Sequence, residues 1–147
     1  MKDLEWKNAY SVGISAIDFQ HKRIFECIMS VLGGPTDDDK LRAEAEIIKL
    51  LGLLKEHFAV EEKMMQALCY PELEQHIKEH RQFNADVHDL AQKSLRTMAG
   101  VSHEAIRIAH KWLTEHIMTC DRDYAAFFSN PAHKSGNMKQ RGKKRIT

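Results

Sequence analysis

Ile47-Ile48-Lys49-Leu50-Leu51-Gly52-Leu53-Leu54-Lys55-Glu56-His57-Phe58-Ala59-Val60-Glu61-Glu62-Lys63-Met64-Met65-Gln66-Ala67-Leu68 is the stretch on which the reading of this chain turns. Ile47, Leu50, Leu54, Met64 and Leu68 recur at spacings that return to one face of an α-helix. His57 and Glu61 fall on that same apolar face. Residues four apart differ by about 40° around a helix, so both side chains project to one side. An ionised glutamate facing a core without a partner costs several kcal/mol. The stripe therefore calls for a polar counterpart inside the fold.

Three more stripes carry histidine in the same way. Ile17, His21, Ile24, Ile28 and Val31 predict a first helix, which Gly33-Gly34-Pro35 stops. Asp37, Asp38 and Asp39 offer caps for the start of the second helix. Proline suits a first helical position, so a third helix is predicted from Pro71 through Leu73, His76, His80, Phe83, Val87 and Leu90 toward Gly100. Ser102 caps a fourth with Ile106, Ala109, Leu113 and His116 on its apolar face. Asp121, Tyr124, Phe127 and Phe128 predict a short closing helix before Pro131. Residues 1–16, with Trp6, Tyr10 and Gly13, lack the helical period and read as an extended arm that lays aromatics over one end of the bundle. Short connections make sequential helices antiparallel neighbours. The expected fold is all-α, an antiparallel up-down-up-down four-helix bundle with an N-terminal arm and a short C-terminal helix.

The size of the chain agrees with this. At 147 residues and 43% hydrophobic content it can build one sizeable core. The charged N-terminal sequence and the absence of an apolar run near 18 residues argue against export and membrane insertion. Cys27, Cys69 and Cys120 are odd in number and far apart, which reads as reduced thiols in a cytoplasm. The net charge of +1 hides a split: Lys134, Lys139, Arg141, Lys143, Lys144 and Arg145 contribute six positive charges after residue 133, leaving −5 on the rest. We therefore expect a domain over 1–133 and a solvated basic tail over 134–147, which can meet an anionic surface or an acidic partner. No nucleic-acid-binding motif accompanies the tail.

In an antiparallel bundle the histidine-bearing positions meet at one end. His21 is near the start of its helix, His57 and Glu61 near the end of theirs, His76 and His80 near a start, and His116 near an end. Five imidazoles and the two carboxylates of Glu61 and Asp121 would share one layer, and metal ions would satisfy them all. Structural zinc is one reading, but the donors exceed the four that close a tetrahedral site, and two carboxylates suit bridging between a pair of ions. Asp121 carries a condition. Five residues past His116 is about 140° around a regular helix, so the helix must break or tighten near Thr119 or Cys120 for Asp121 to face inward.

Several residues are read as bystanders. Glu56, Glu79 and Glu115 each precede a histidine by one position, about 100° away from it, and are assigned to a solvated face. His88, His103, His110 and His133 are assigned to the surface, Cys120 is read as an inert thiol, and Met64, Met65 and Met118 as core fillers.

The ordered segments resemble the hemerythrins, specifically the single-domain bacterial hemerythrins. They are Trp6 with Tyr10-Ser11-Val12-Gly13; Ile17-Asp18-Phe19-Gln20-His21; His57-Phe58-Ala59-Val60-Glu61-Glu62; Tyr70-Pro71 with His76-Ile77-Lys78-Glu79-His80; and Trp112-Leu113-Thr114-Glu115-His116-Ile117 with Asp121. The resemblance covers residues 4–128 and fills every ligand position of the family. It implies a non-haem di-iron centre with His76, His80 and His116 on one iron and His21 and His57 on the other. Glu61, Asp121 and an oxo or hydroxo group would bridge them. It implies reversible dioxygen binding at the open position of the two-histidine iron, with Leu113, Ile117 and Phe58 lining the pocket. Carriage rather than catalysis follows from the donor set, because five neutral imidazoles with two carboxylates supply less negative charge than sites that cleave oxygen. The competing expectations are turnover of hydrogen peroxide or nitric oxide, and sensing through a partner held by the basic tail.

Overall fold

Among the described residues five helices follow one another: α1 (Ser15–Leu32), α2 (Lys40–Ala67), α3 (Leu73–Arg96), α4 (His103–His116) and α5 (Arg122–Ser129). They come from a computed structural model that describes residues 2–32, 40–96, 103–130 and 132. Gly33-Gly34-Pro35, Asp37 to Asp39, Gly100, Ser102, Pro131, His133 and the tail from 134 lie outside the described residues. So do the expectations placed on them.

α1 packs against α2 and α4, and α2 against α3. Side-chain pairs establish the directions. His21, early in α1, meets His57, late in α2, while Cys27 further along α1 meets Glu46 near the start of α2. His80, early in α3, meets Glu62, late in α2, and His116, late in α4. Phe25 of α1 meets His110 of α4. Each neighbouring pair is antiparallel, which is the up-down-up-down bundle that the stripes predict. Ile24, Phe25, Ile28, Leu50, Leu54, Phe83, Ile106 and Leu113 form its main core. Full burial of such a side chain contributes about 1.5–3 kcal/mol. Met65, Tyr70, Tyr124 and Ala125 form a smaller cluster where α2 ends and α5 begins.

Two boundaries differ from the expected ones. α2 stops in a Schellman turn: the Cys69 amide donates to the Gln66 carbonyl at 3.2 Å and the Tyr70 amide to the Met65 carbonyl at 3.0 Å. Cys69 takes the left-handed conformation at φ 55°, the position usually given to glycine. Pro71 therefore belongs to the turn after this cap, and α3 begins at Leu73 rather than at Pro71.

The N-terminal arm is not simply extended, because it contains two 3-10 turns, Lys2–Leu4 and Asn8–Tyr10. Its aromatics do pack onto the bundle. Trp6 meets Tyr10 and Phe25 edge-on, with ring centroids 5.8 and 5.6 Å apart. His110, expected at the surface, is buried instead and donates from Nε2 to the Leu4 carbonyl at 3.0 Å. The arm both covers this histidine and supplies its acceptor. Gly13, at φ 77°, turns the chain into α1, whose Asp18 accepts from the Val12 amide at 2.9 Å and the Ser11 hydroxyl at 2.5 Å. His88 is exposed, as expected, and Met65 is fully buried.

Candidate metal centre

His21, His57, Glu61, His76, His80, His116 and Asp121 converge in the bundle interior, each no more than 4% exposed. They form two overlapping groups. Glu61, His76, His80, His116 and Asp121 place one donor atom each within 4.8 Å of the others, and so do His21, His57, Glu61 and Asp121. Glu61 and Asp121 belong to both groups.

The carboxylates divide their oxygens between the two sides. Glu61 turns Oε1 to His57 Nε2 at 3.4 Å and Oε2 to His80 Nε2 at 3.2 Å. Asp121 turns Oδ2 to His21 Nε2 at 3.3 Å, and Oδ1 to His76 and His116 Nε2 at 3.2 and 3.1 Å. The Nε2 atom of His116 also lies 3.1 Å from that of His80 and 3.2 Å from that of His76. A proton on His116 Nε2 can serve only one of these neighbours. The remaining lone pairs face one another.

Asp121 reaches this position because the helix after His116 widens instead of breaking or tightening. Ile117–Asp121 is a π-helical turn, in which five residues close roughly one turn. The chain then continues directly into α5. The Thr119 hydroxyl donates to the Glu115 carbonyl at 2.7 Å, a side-chain bond of the kind that bends helices.

Stacked rings hold the imidazoles. Phe58 lies on His80 with centroids 3.9 Å apart, and Trp112 is sandwiched between His116 at 4.8 Å and Phe83 at 4.0 Å. Trp6 covers His21 at 6.1 Å. Leu113 and Ile117, the expected pocket residues, are fully buried in the main core with Phe58. Phe58 sits against the three-histidine group, though its ring is also 5.7 Å from that of His57.

The outer nitrogens form a relay that the sequence reading missed. Gln20 on α1 accepts from His57 Nδ1 on α2 at 2.8 Å. Glu62 on α2 accepts from His80 Nδ1 on α3 at 3.0 Å, and Glu79 on α3 accepts from His116 Nδ1 on α4 at 3.1 Å. Each acceptor adjoins one of the converging residues on its own helix and braces a histidine of the next helix. Glu79 is therefore not on a purely solvated face. The 100° rotation that turns it away from His80 is what aims it at His116. Glu56 and Glu115 are exposed, as expected. Cys120 Sγ donates to the same Glu79 oxygen at 3.0 Å, so it too is tied to this relay.

Tyr124 was also missed. Fully buried, it donates its hydroxyl to Glu61 Oε1 at 2.5 Å. Its position three residues after Asp121 on an apolar face is the signal that would have placed it inward. Tyr124→Phe is expected to destabilise the fold by about 1–2 kcal/mol, because the charged Glu61 loses a donor it cannot replace with water. Urea denaturation would read this, and an unchanged midpoint would refute it.

Electrostatics reflect the crowding. Burial disfavours charge on His57, and although Glu61 pulls the other way its pKa falls to about 4. Burial also opposes charge on His116, but the neighbouring Asp121 outweighs it and lifts the pKa to about 11. For Glu61, burial and Asp121 raise the pKa, while His57, His76 and His80 outweigh them and hold it near 2. Asp121, despite burial, is held well below the usual carboxylate range by His116, His21 and His76.

A bound cation fits this donor set. The buried atoms His21 Nε2, His57 Nε2, Glu61 Oε2 and both Asp121 oxygens have no hydrogen-bond partner among the described residues. Each such orphan costs about 1–3 kcal/mol, so five together would be hard for a fold to sustain unaided. Cis ligands about 2.1 Å from one ion lie roughly 3 Å apart, close to the observed 3.1–3.4 Å spacings.

Fold and site together define a four-helix bundle built around a buried histidine-carboxylate centre whose donor set fits cations. Residues 12–128 match the family model described as the hemerythrin HHE cation binding domain. The chain belongs to the hemerythrin family. It is 30% identical to a myohemerythrin of Theromyzon tessulatum over 120 residues, covering 82% of this chain and 89% of that protein. It is 31% identical to a bacteriohemerythrin of Stenotrophomonas maltophilia, covering 83% and 79%. A bacteriohemerythrin of Pseudomonas paraeruginosa is 33% identical, covering 84% and 80%. Among the described residues no helix is long and apolar enough to cross a membrane.

Proposed function

We propose that the chain binds dioxygen reversibly at a centre of two iron ions joined by an oxo or hydroxo group. The observation that carries this reading is the division of the Glu61 and Asp121 oxygens between two groups of histidines. His76, His80 and His116 would hold one ion, His21 and His57 the other, and the two carboxylates would span them. Iron held there would supply the reversible electron exchange that dioxygen binding needs.

The protein's own residues do the rest. Gln20, Glu62 and Glu79 keep the Nδ1 protons of His57, His80 and His116 on the outside, so that each Nε2 presents its lone pair to the interior. The Tyr124 hydroxyl fixes the Glu61 carboxylate. Leu113, Ile117 and Phe58 would form an apolar wall that excludes water and so slows irreversible oxidation. The two-histidine position has one imidazole fewer, and it is where dioxygen would enter.

The function sits with carriage, storage or scavenging, and the domain over 1–133 would suffice for it. Sensing through an acidic or anionic partner would instead require the tail, and would show as an interaction lost when 134–147 are deleted. The deciding experiment is to reduce the iron-loaded protein anaerobically, admit oxygen and then sweep it out. A visible charge-transfer absorption is expected to appear with oxygen and fade without it. No reversible change would remove the carrier reading, and steady consumption of hydrogen peroxide or nitric oxide faster than by free iron would assign an enzyme in its place.

A further inference from the structure

The nitrogens turned away from the centre are not backed alike. Behind the three-histidine group are two carboxylates, Glu62 on His80 and Glu79 on His116, at 3.0 and 3.1 Å. Behind the two-histidine group is a single amide, Gln20 on His57 at 2.8 Å. Nδ1 of His21 is buried and has no hydrogen-bond partner among the described residues.

We propose that this difference in charge ranks the two metal positions, so that the three-histidine position fills first and holds its ion more tightly than its extra imidazole alone would dictate. The inference rests on the two-ion reading above. A carboxylate accepting from Nδ1–H draws the proton toward itself and makes Nε2 a stronger donor; a neutral amide does this less, and an absent acceptor not at all. Glu62 and Glu79 are about one-third exposed, at 32% and 35%, so water screens part of their charge. The effect belongs on the scale of about tenfold, the lower end for residues that orient metal ligands.

A second observation points the same way. Gln20, Arg23, Leu53, Glu56 and His57 line a cleft of about 10 Å³, roughly one water's room, behind the amide-backed histidine. The two-histidine position thus borders a cleft on its outer side. Gln20, Glu62 and Glu79 are positioning residues, each acting through the histidine it touches.

Cobalt(II) titration of the metal-free full-length chain tests this, followed by calorimetry and by the visible bands of the bound ion, with no dependence on oxygen. The wild type is expected to take up two ions in resolved steps. Glu62→Gln and Glu79→Gln keep an acceptor oxygen at the same reach but remove the charge, and each is expected to weaken the first step by about tenfold while leaving the second in place. Gln20→Glu is expected to tighten the second step by about tenfold and draw the two together. A purely structural role would leave these near-isosteric variants unmoved, or shift both steps alike with a lower melting temperature; either result overturns the proposal. Two cobalt steps that respond as expected, without a reversible oxygen spectrum in the iron form, would retire the carrier reading and leave the ranking standing. Fewer than two ions in the wild type would remove both.

Discussion

Asp121→Ala is expected to cut bound metal from two ions per chain to at most one and to abolish the reversible oxygen spectrum. Among the described residues, Asp121 shares with Glu61 alone its place in both donor groups. Its oxygens lie 3.1–3.3 Å from Nε2 of His116, His76 and His21, so truncation takes a donor from each side at once. Second-layer substitutions typically weaken metal binding by about 10–100-fold, and loss of a shared ligand should exceed that. Asp121→Asn, which keeps the volume and one carbonyl oxygen, is expected to fall between. Elemental analysis after gel filtration reads the stoichiometry, and circular dichroism checks that the helices persist. A folded alanine variant that still carries two ions would show that Asp121 is not a bridging residue.

Stripping the metal with a chelator should lower the melting temperature by on the order of 10 °C, since a ligand at a thousandfold excess over its dissociation constant stabilises by about 4 kcal/mol and a chain of this size shifts by a few degrees per kcal/mol. The stripped protein should also acquire a peaked pH profile. Folded His57 resists protonation until about pH 4, whereas the unfolded residue takes up its proton near the ordinary histidine value of 6.5. Acidification below that value therefore favours the unfolded chain, by up to about 3 kcal/mol at pH 4. Glu61, held at about 2 in the fold, adds to the acid loss only below the ordinary glutamate value of 4.5. His116 acts on the other side. Its folded pKa is about 11, so its contribution is full below 6.5 and declines as the pH rises toward 11. The metal-free form should thus be most stable near pH 6 to 7 and weaken in both directions. Metal replaces the His116 proton, so the loaded form should melt higher with a flatter alkaline side. Differential scanning across this range, with and without chelator, provides the comparison. Equal melting temperatures for the two forms would mean that the donor cluster does not need an ion.

Much of this was readable in advance because helices impose a short period on the chain. The stripes of Ile17 to Val31 and Ile47 to Leu68 and the i,i+4 pairs His57 with Glu61 and His76 with His80 carry their inward direction in spacing alone. Even the need for irregular backbone between His116 and Asp121 followed from 100° per residue. What spacing could not choose was its form. A break, a tightened turn and a π turn all satisfy the arithmetic, and the local packing selects among them. His110 shows a second limit. On the helix alone it lies at the margin of the apolar face, and only the return of the N-terminal arm, with the Leu4 carbonyl as acceptor, makes it an interior residue.

The sequence by itself therefore determined the bundle and six of the seven inward polar residues, since these depend on the phase of single helices, whereas Asp121 faces inward through the π turn that follows His116. Only the tertiary structure decided how these residues are shared and braced. Which oxygen of Glu61 faces which histidine, and which neighbour of one helix supports the imidazole of the next, depends on the relative rotation of packed helices. That rotation is set by contacts between residues distant in sequence, and no spacing along one helix contains it.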